Sequence, residues 1–260
     1  MNIYKKNHLL VITFIVALIL LCPSVSISQQ KNADIISEIR KGNYYIITED
    51  KRGSLRIKKE YRTPEIREAL YQLLINPPKF LFKGEGLGYV YLLHIMGDVQ
   101  ETRAIPDLLK NCGDPGTARS LARMGEPALN IILERYQEEK KKGKEWIPVQ
   151  VLTEMVREKE DKDDYVAKGE VRGKIKKLIV EAINSDNHYI RGYAVSGLGE
   201  LASQGDTDVI PLIKKTAAED PYFEDFSKDP HFKVSKRYKV REEAQKVLEK
   251  LKKEGKIKEK

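Results

Sequence analysis

Gly97-Asp98-Val99-Gln100-Glu101-Thr102-Arg103-Ala104-Ile105-Pro106-Asp107-Leu108-Leu109 decides the fold class. An apolar segment ends at Met96-Gly97, and Pro106 opens another. Glycine just past the last apolar position stops a helix. Proline in the first turn of a helix wastes no hydrogen bond, because the amide there has no partner within the helix. The stretch therefore reads as helix, turn, helix. The pattern recurs where Pro127 follows Met124-Gly125 and where Pro211 follows Leu198-Gly199. Pro148, in Trp146-Ile147-Pro148, opens a further helix without a clear glycine-ended helix before it. A recurring helix–turn–helix unit marks a stacked array, and such arrays more often present surfaces for partners than active sites.

Aligning the copies on their glycines puts Leu93, Leu121 and Val195 at one position and Met96, Met124 and Leu198 at another. Small residues accompany them: Ala118, Ser120 and Ala122 in one copy, Gly192, Ala194, Ser196 and Gly197 in the next. Small side chains let two helices approach closely while Met or Leu fills the interface. The stretch quoted above resembles the HEAT repeat family, in particular the short HEAT-like repeats of phycobilisome lyases. Tyr189 to Gly199 resembles the first helix of that repeat, Asp208 to Ile213 the second, and Pro64 to Leu70 one more first helix. The resemblance covers about residues 62–220 and degenerates around 140–170. It implies a structural ladder joining neighbouring units, for which Asp98, Arg103 and Arg191 are the candidates.

Apolar stripes at helical spacing run through Ile66, Ala69, Leu70, Leu73 and Leu74, through Ile175, Leu178, Ile179, Ala182 and Ile183, and through Val240, Ala244, Val247, Leu248 and Leu251. With caps at Thr63-Pro64 and Asp114-Pro115, and Asp206-Thr207 as a further cap, they predict helices near 31–41, 63–76, 86–97, 102–111, 115–124, 126–141, 146–159, 170–185, 187–203, 207–219 and 237–253. Short connections make neighbours antiparallel pairs. The predicted fold is all-α, a short irregular α-solenoid over 62–253 with a charged tail at 254–260. Before it comes a segment at 29–61 whose aromatic and β-branched residues permit a small β-hairpin around Gly53. Residues 220–236 read as a long loop with its own aromatics, Phe223, Phe226 and Phe232.

Residues 1–28 read as an export signal, with Lys5 and Lys6, an apolar run over Leu9–Leu21, and Ser26-Ile27-Ser28 before the cut. The alternatives are a retained membrane anchor, for which the run is short, and lipid modification at Cys22, where Leu21 departs from the small residue of the lipoprotein pattern. Removing the signal leaves Cys112 as the only cysteine, so no internal disulfide forms. No Asn-x-Ser/Thr acceptor occurs. The expected location is exported, periplasmic or extracellular, in a bacterial envelope, with no stable membrane span after cleavage.

Lys and Arg number 47 against 39 Asp and Glu, a net charge of +8; the signal takes Lys5 and Lys6 with it, leaving +6. Most of the excess lies in solvated runs such as Lys140-Lys141-Lys142, and nucleic acid is not an expected partner. No cofactor is implied. His94, His188 and His231 lack metal-ligand spacing, and Cys112 reads as a bystander. Gly84-Glu85-Gly86-Leu87-Gly88 lacks the flanking strand and Lys-Ser/Thr of a phosphate loop.

The favoured reading is an exported non-enzymatic scaffold that binds a protein partner through a helical-repeat surface, with Trp146, Tyr189 and Tyr193 as candidate anchors. The alternative is a HEAT-like enzyme or enzyme accessory. The resemblance implies it, because some similar repeats act on bilin chromophores or alkylated DNA bases.

Overall fold

A computed structural model of the chain describes residues 33–51, 54–78, 87–142, 148–157, 164–227 and 236–257. The export-signal reading, Trp146 and residues 228–235 of the loop, Phe232 among them, lie outside the described residues. Helix α1 covers residues 33–40. A 3-10 turn, Tyr44–Ile47, leads into β1 (Thr48–Lys51), which pairs antiparallel with β2 (Ser54–Ile57); Thr48 lies opposite Ile57. The hairpin expected around Gly53 is therefore present, although Tyr44–Ile47 is a helical turn rather than the start of its first strand.

Ten helices follow among the described residues: α2 (Pro64–Ile75), α3 (Leu87–Met96), α4 (Ile105–Lys110), α5 (Pro115–Arg123), α6 (Glu126–Lys141), α7 (Val149–Val156), α8 (Gly169–Ala182), α9 (His188–Ser203), α10 (Ile210–Glu219) and α11 (Lys239–Lys253). Short 3-10 turns precede α4 and α10. Two residue pairs, β3 (Glu224–Asp225) and β4 (Lys236–Arg237), close the segment between α10 and α11.

The local signals account for most of these boundaries. Pro106, Pro127 and Pro211 each sit in the first turn of their helices, while Pro148 lies just before α7. The Thr63 hydroxyl accepts from the Ile66 amide and the Asp114 carboxylate from the Thr117 amide, capping α2 and α5. Gly125 turns the chain between α5 and α6 with φ of 65°, a conformation that favours glycine. Asp206 does not cap as expected. Its side chain instead accepts from Arg172 and Lys176 of α8, at 2.6 and 2.9 Å.

Helices α3, α5, α7, α9 and α11 pack side by side in that order. Cross-contacts fix their sense. His94 and Gly97 meet Gly116 and Ser120, Thr153 and Arg157 meet Gly197 and Glu200, and Ser196 and Ser203 bond Glu243 and Glu254, so the pairs α3/α5, α7/α9 and α9/α11 each run parallel. Helices α4, α8 and α10 pack against this row as return segments. Every residue of α7 except Gln150 is buried, as suits its place in the middle of the row. The hairpin joins the same core: Tyr44, Ile47 and Ile57 are fully buried along with Leu92, Leu93 and Leu108.

The three ladder candidates each tie separate elements, but not to one another. Asp98, in the turn after α3, receives Arg56 of β2 at 2.7 Å, the Ile57 amide at 2.7 Å and Arg123 of α5 at 3.1 Å. Arg56 reaches on to Asp164 at 2.9 Å. Burial lowers the pKa of the Arg123 guanidinium, and Asp98 offsets part of that penalty. Arg103 bonds Glu101 and Glu68 and lies over the Tyr71 ring of α2. Arg191 grips Asp220 with two bonds, of 2.6 and 3.1 Å.

Three carboxylates used in this way set the acid limit of the fold. Burial raises the pKa of Glu101, but Arg103 outweighs it; burial raises Asp114, but the Thr117 amide and His94 outweigh it; burial raises Asp206, but Lys176 and Arg172 outweigh it. All three lie below their ordinary values of 4.5, 3.8 and 3.8. A carboxylate depressed in the folded state contributes stability that is complete above its unfolded pKa and is lost as pH falls through its folded pKa. The urea midpoint is therefore expected to hold steady between about pH 7 and pH 5 and to fall below about pH 4. A midpoint unchanged down to about pH 2.5 would contradict this assignment.

Candidate functional site

Asn187 caps α9 by accepting the Tyr189 amide at 2.9 Å. From this start His188, Tyr189, Gly192, Tyr193 and Ser196 fall on one helical stripe, while Arg191, Ala194, Val195 and Leu198 are buried on the other side. The exposed stripe faces Lys239, Val240 and Glu243 at the start of α11, and together they line a groove of about 300 Å³. Tyr189 is 62% exposed and Tyr193 43%. These are two of the three sequence-predicted anchors, and the fold brings them onto one surface. A side chain at Gly192 would meet nothing, so the groove floor is open there.

Aromatic rings continue around its rim. His188 stacks on Tyr222 at 3.5 Å and lies 4.0 Å from the Tyr189 ring; its Nε2 is buried without a hydrogen-bond partner. Phe223, 39% exposed, sits 5.7 Å from Tyr238, the residue before Lys239. The polar groups have partners: two cations are ion-paired and the Glu243 carboxylate accepts from a hydroxyl. Ser196 donates to Glu243 at 3.1 Å, Lys239 bonds Glu224 at 2.5 Å and Arg237 bonds Glu242 at 3.1 Å. Glu224 raises the Lys239 pKa and holds the ammonium charged. Sequence reading missed Lys239, Glu243, His188 and Tyr222. Lys239 and Glu243 belong to the start of α11, Tyr222 to the segment before it and His188 to the start of α9, and only folding brings α11 beside α9.

A second aromatic patch lies by α3. Tyr44 donates to the Gly88 carbonyl at 2.6 Å and stacks on Tyr45, whose ring meets Tyr91 edge-on at 6.4 Å. Tyr45, Ile46 and Tyr91 are exposed. Behind them His94 bonds Asp114 at 2.6 Å. That contact explains the histidine inside an apolar helix, since the ring packs on Gly116 and ties α3 to the cap of α5. A second cavity, of about 320 Å³, has the Arg191–Asp220 pair in its wall, between the end of α8 and the end of α10. Both groups already carry strong partners there, including the Ser185 and Asp186 carbonyls.

Burial raises the pKa of the Cys112 thiol, which keeps it protonated and a poor nucleophile. Among the described residues no three His, Cys, Asp or Glu side chains gather to hold a metal ion. Among them, too, no helix is long and apolar enough to cross a membrane. No protein-family model, curated protein or solved structure matches the chain.

Proposed function

We propose that the chain is an exported, non-enzymatic scaffold, an irregular HEAT-like α-solenoid that holds a protein partner on its helical surface. The row of parallel helices with return helices against it supports the solenoid reading. The run Leu9–Leu21 after Lys5 and Lys6 supports export to the periplasm or beyond.

The observation that carries the binding role is the gathering of exposed large apolar side chains. Tyr45, Ile46 and Tyr91 form one patch, and Tyr189, Tyr193 and Phe223 lie around the other. Scattered exposed apolar residues need no explanation, but clustered aromatic ones mark interaction sites. The test places a photo-reactive amino acid at position 91 or 193, with exposed position 177 on α8 as control. A discrete protein adduct from 91 or 193, missing from the control, is expected in envelope preparations. Absence of any adduct from both positions sinks the proposal.

A further inference from the structure

We infer that the α9–α11 groove binds an uncharged oligosaccharide. This rests on reading the groove as a binding surface, and it makes a carbohydrate its occupant. The helical surface elsewhere, including the Tyr45–Tyr91 patch, remains available to a protein partner.

Charge is the first argument. Lys239 is held by Glu224, Arg237 by Glu242, and Glu243 by the Ser196 hydroxyl. The lining carries one carboxylate, Glu243, and one ammonium, Lys239, so a ligand charged to suit one of them faces the other. Neither sign is complemented, so an uncharged ligand suits the groove.

The second argument separates a sugar from an apolar side chain of equal size. Tyr189 and Tyr193 offer ring surface to either, because aromatic faces take any apolar face. Covering the groove, however, removes water from Glu243, Ser196 and Lys239. An apolar side chain returns no hydrogen bonds for that loss. A pyranose returns several. Its C–H face stacks on tyrosine while its hydroxyls, each both donor and acceptor, meet a carboxylate, a serine and an ammonium.

The third argument concerns length. About 300 Å³ is at the small end of ligand sites, which suits one ring rather than a cofactor. Phe223, exposed beside Tyr238 and with the Lys236 ammonium 4.4 Å over one face of its ring, provides further apolar surface outside the groove. One ring inside and the next over Phe223 describes a chain rather than a free monosaccharide.

The test titrates the protein with maltotriose, cellotriose and chitotriose, and with glucose, following heat of binding and saturation transfer to ring C–H protons. At least one trisaccharide is expected to bind more tightly than glucose. Tyr189→Ala and Tyr193→Ala should each weaken it by about tenfold or more, with Tyr193→Phe close to wild type. Glu243→Gln should weaken it less, since the amide still bonds hydroxyls. Circular dichroism of each variant confirms folding. If none of the three binds at about 10 mM, or if Tyr189→Ala and Tyr193→Ala both bind as wild type does, the inference is overturned. Binding of glucose as tightly as of every trisaccharide overturns it as well. A protein adduct at position 91 or 193 without sugar binding leaves the scaffold standing and removes the carbohydrate. Failure of both experiments removes both.

Discussion

Asp98→Ala is expected to cost about 3–5 kcal/mol of folding stability, the largest loss of any single substitution considered for this chain. The carboxylate is fully shielded from solvent, accepts from Arg56 and the Ile57 amide, and is ion-paired with Arg123. Removing it leaves a buried main-chain donor and two buried guanidinium groups short of their counter-charge. A buried pair is worth little net when intact, because desolvation cancels most of the attraction, but breaking it exposes the whole penalty. A domain of this size typically holds about 5–15 kcal/mol, so the variant should melt about 10 °C lower or more. Asp98→Asn should lose less, because its carbonyl can still take the Ile57 amide. Urea denaturation followed by circular dichroism reads both values. A loss below about 1 kcal/mol for Asp98→Ala would show that water reaches the cluster.

The candidacy of Asp98 as a ladder residue was legible in the sequence, because an acid in the turn after an apolar helix has a structural use in stacked repeats. Its partners were not. Arg56 lies 42 positions away, on a hairpin whose docking no local pattern encodes. The same division holds elsewhere. Pro64 behind Thr63 and Pro115 behind Asp114 announce helix starts because capping is local chemistry. Asp206 is a capping residue type without the following proline, and it is drawn to Arg172 and Lys176, since two cations on a neighbouring helix outweigh a neutral amide. Tyr189 and Tyr193 stand out as aromatics on a helix rich in small residues. Glu243 and Lys239 look like any charged residues at the start of a surface helix until α11 lies beside α9.

Gly97→Ala should cost about 1–3 kcal/mol, the cost of overpacking. A methyl group there would overlap the main-chain carbonyl of Ser120, and backbone cannot rotate aside as a side chain can. The approach is already used: the Gly97 amide donates to the Ser120 hydroxyl at 2.7 Å. Gly173, on the exposed face of α8, provides the contrast, because a methyl group there meets nothing. Gly173→Ala should stabilise by about 0.5–1 kcal/mol through helix propensity alone. Opposite signs for one chemical change, measured by urea midpoint, separate packing from propensity. Equal signs would mean that α3 and α5 are not in the close contact described.

The groove itself depends on a contact well away from it. At Gly199 the missing side chain lets Val247 close in, so that an added methyl group would come within 2.6 Å of it. Seven residues earlier, or about 10 Å along the axis, the same two helices leave the open floor at Gly192. The two helices thus close on each other where Val247 packs on Gly199 and stand open at Gly192, so the spacing between Tyr193 and Glu243 is set by side-chain size at a position outside the groove lining.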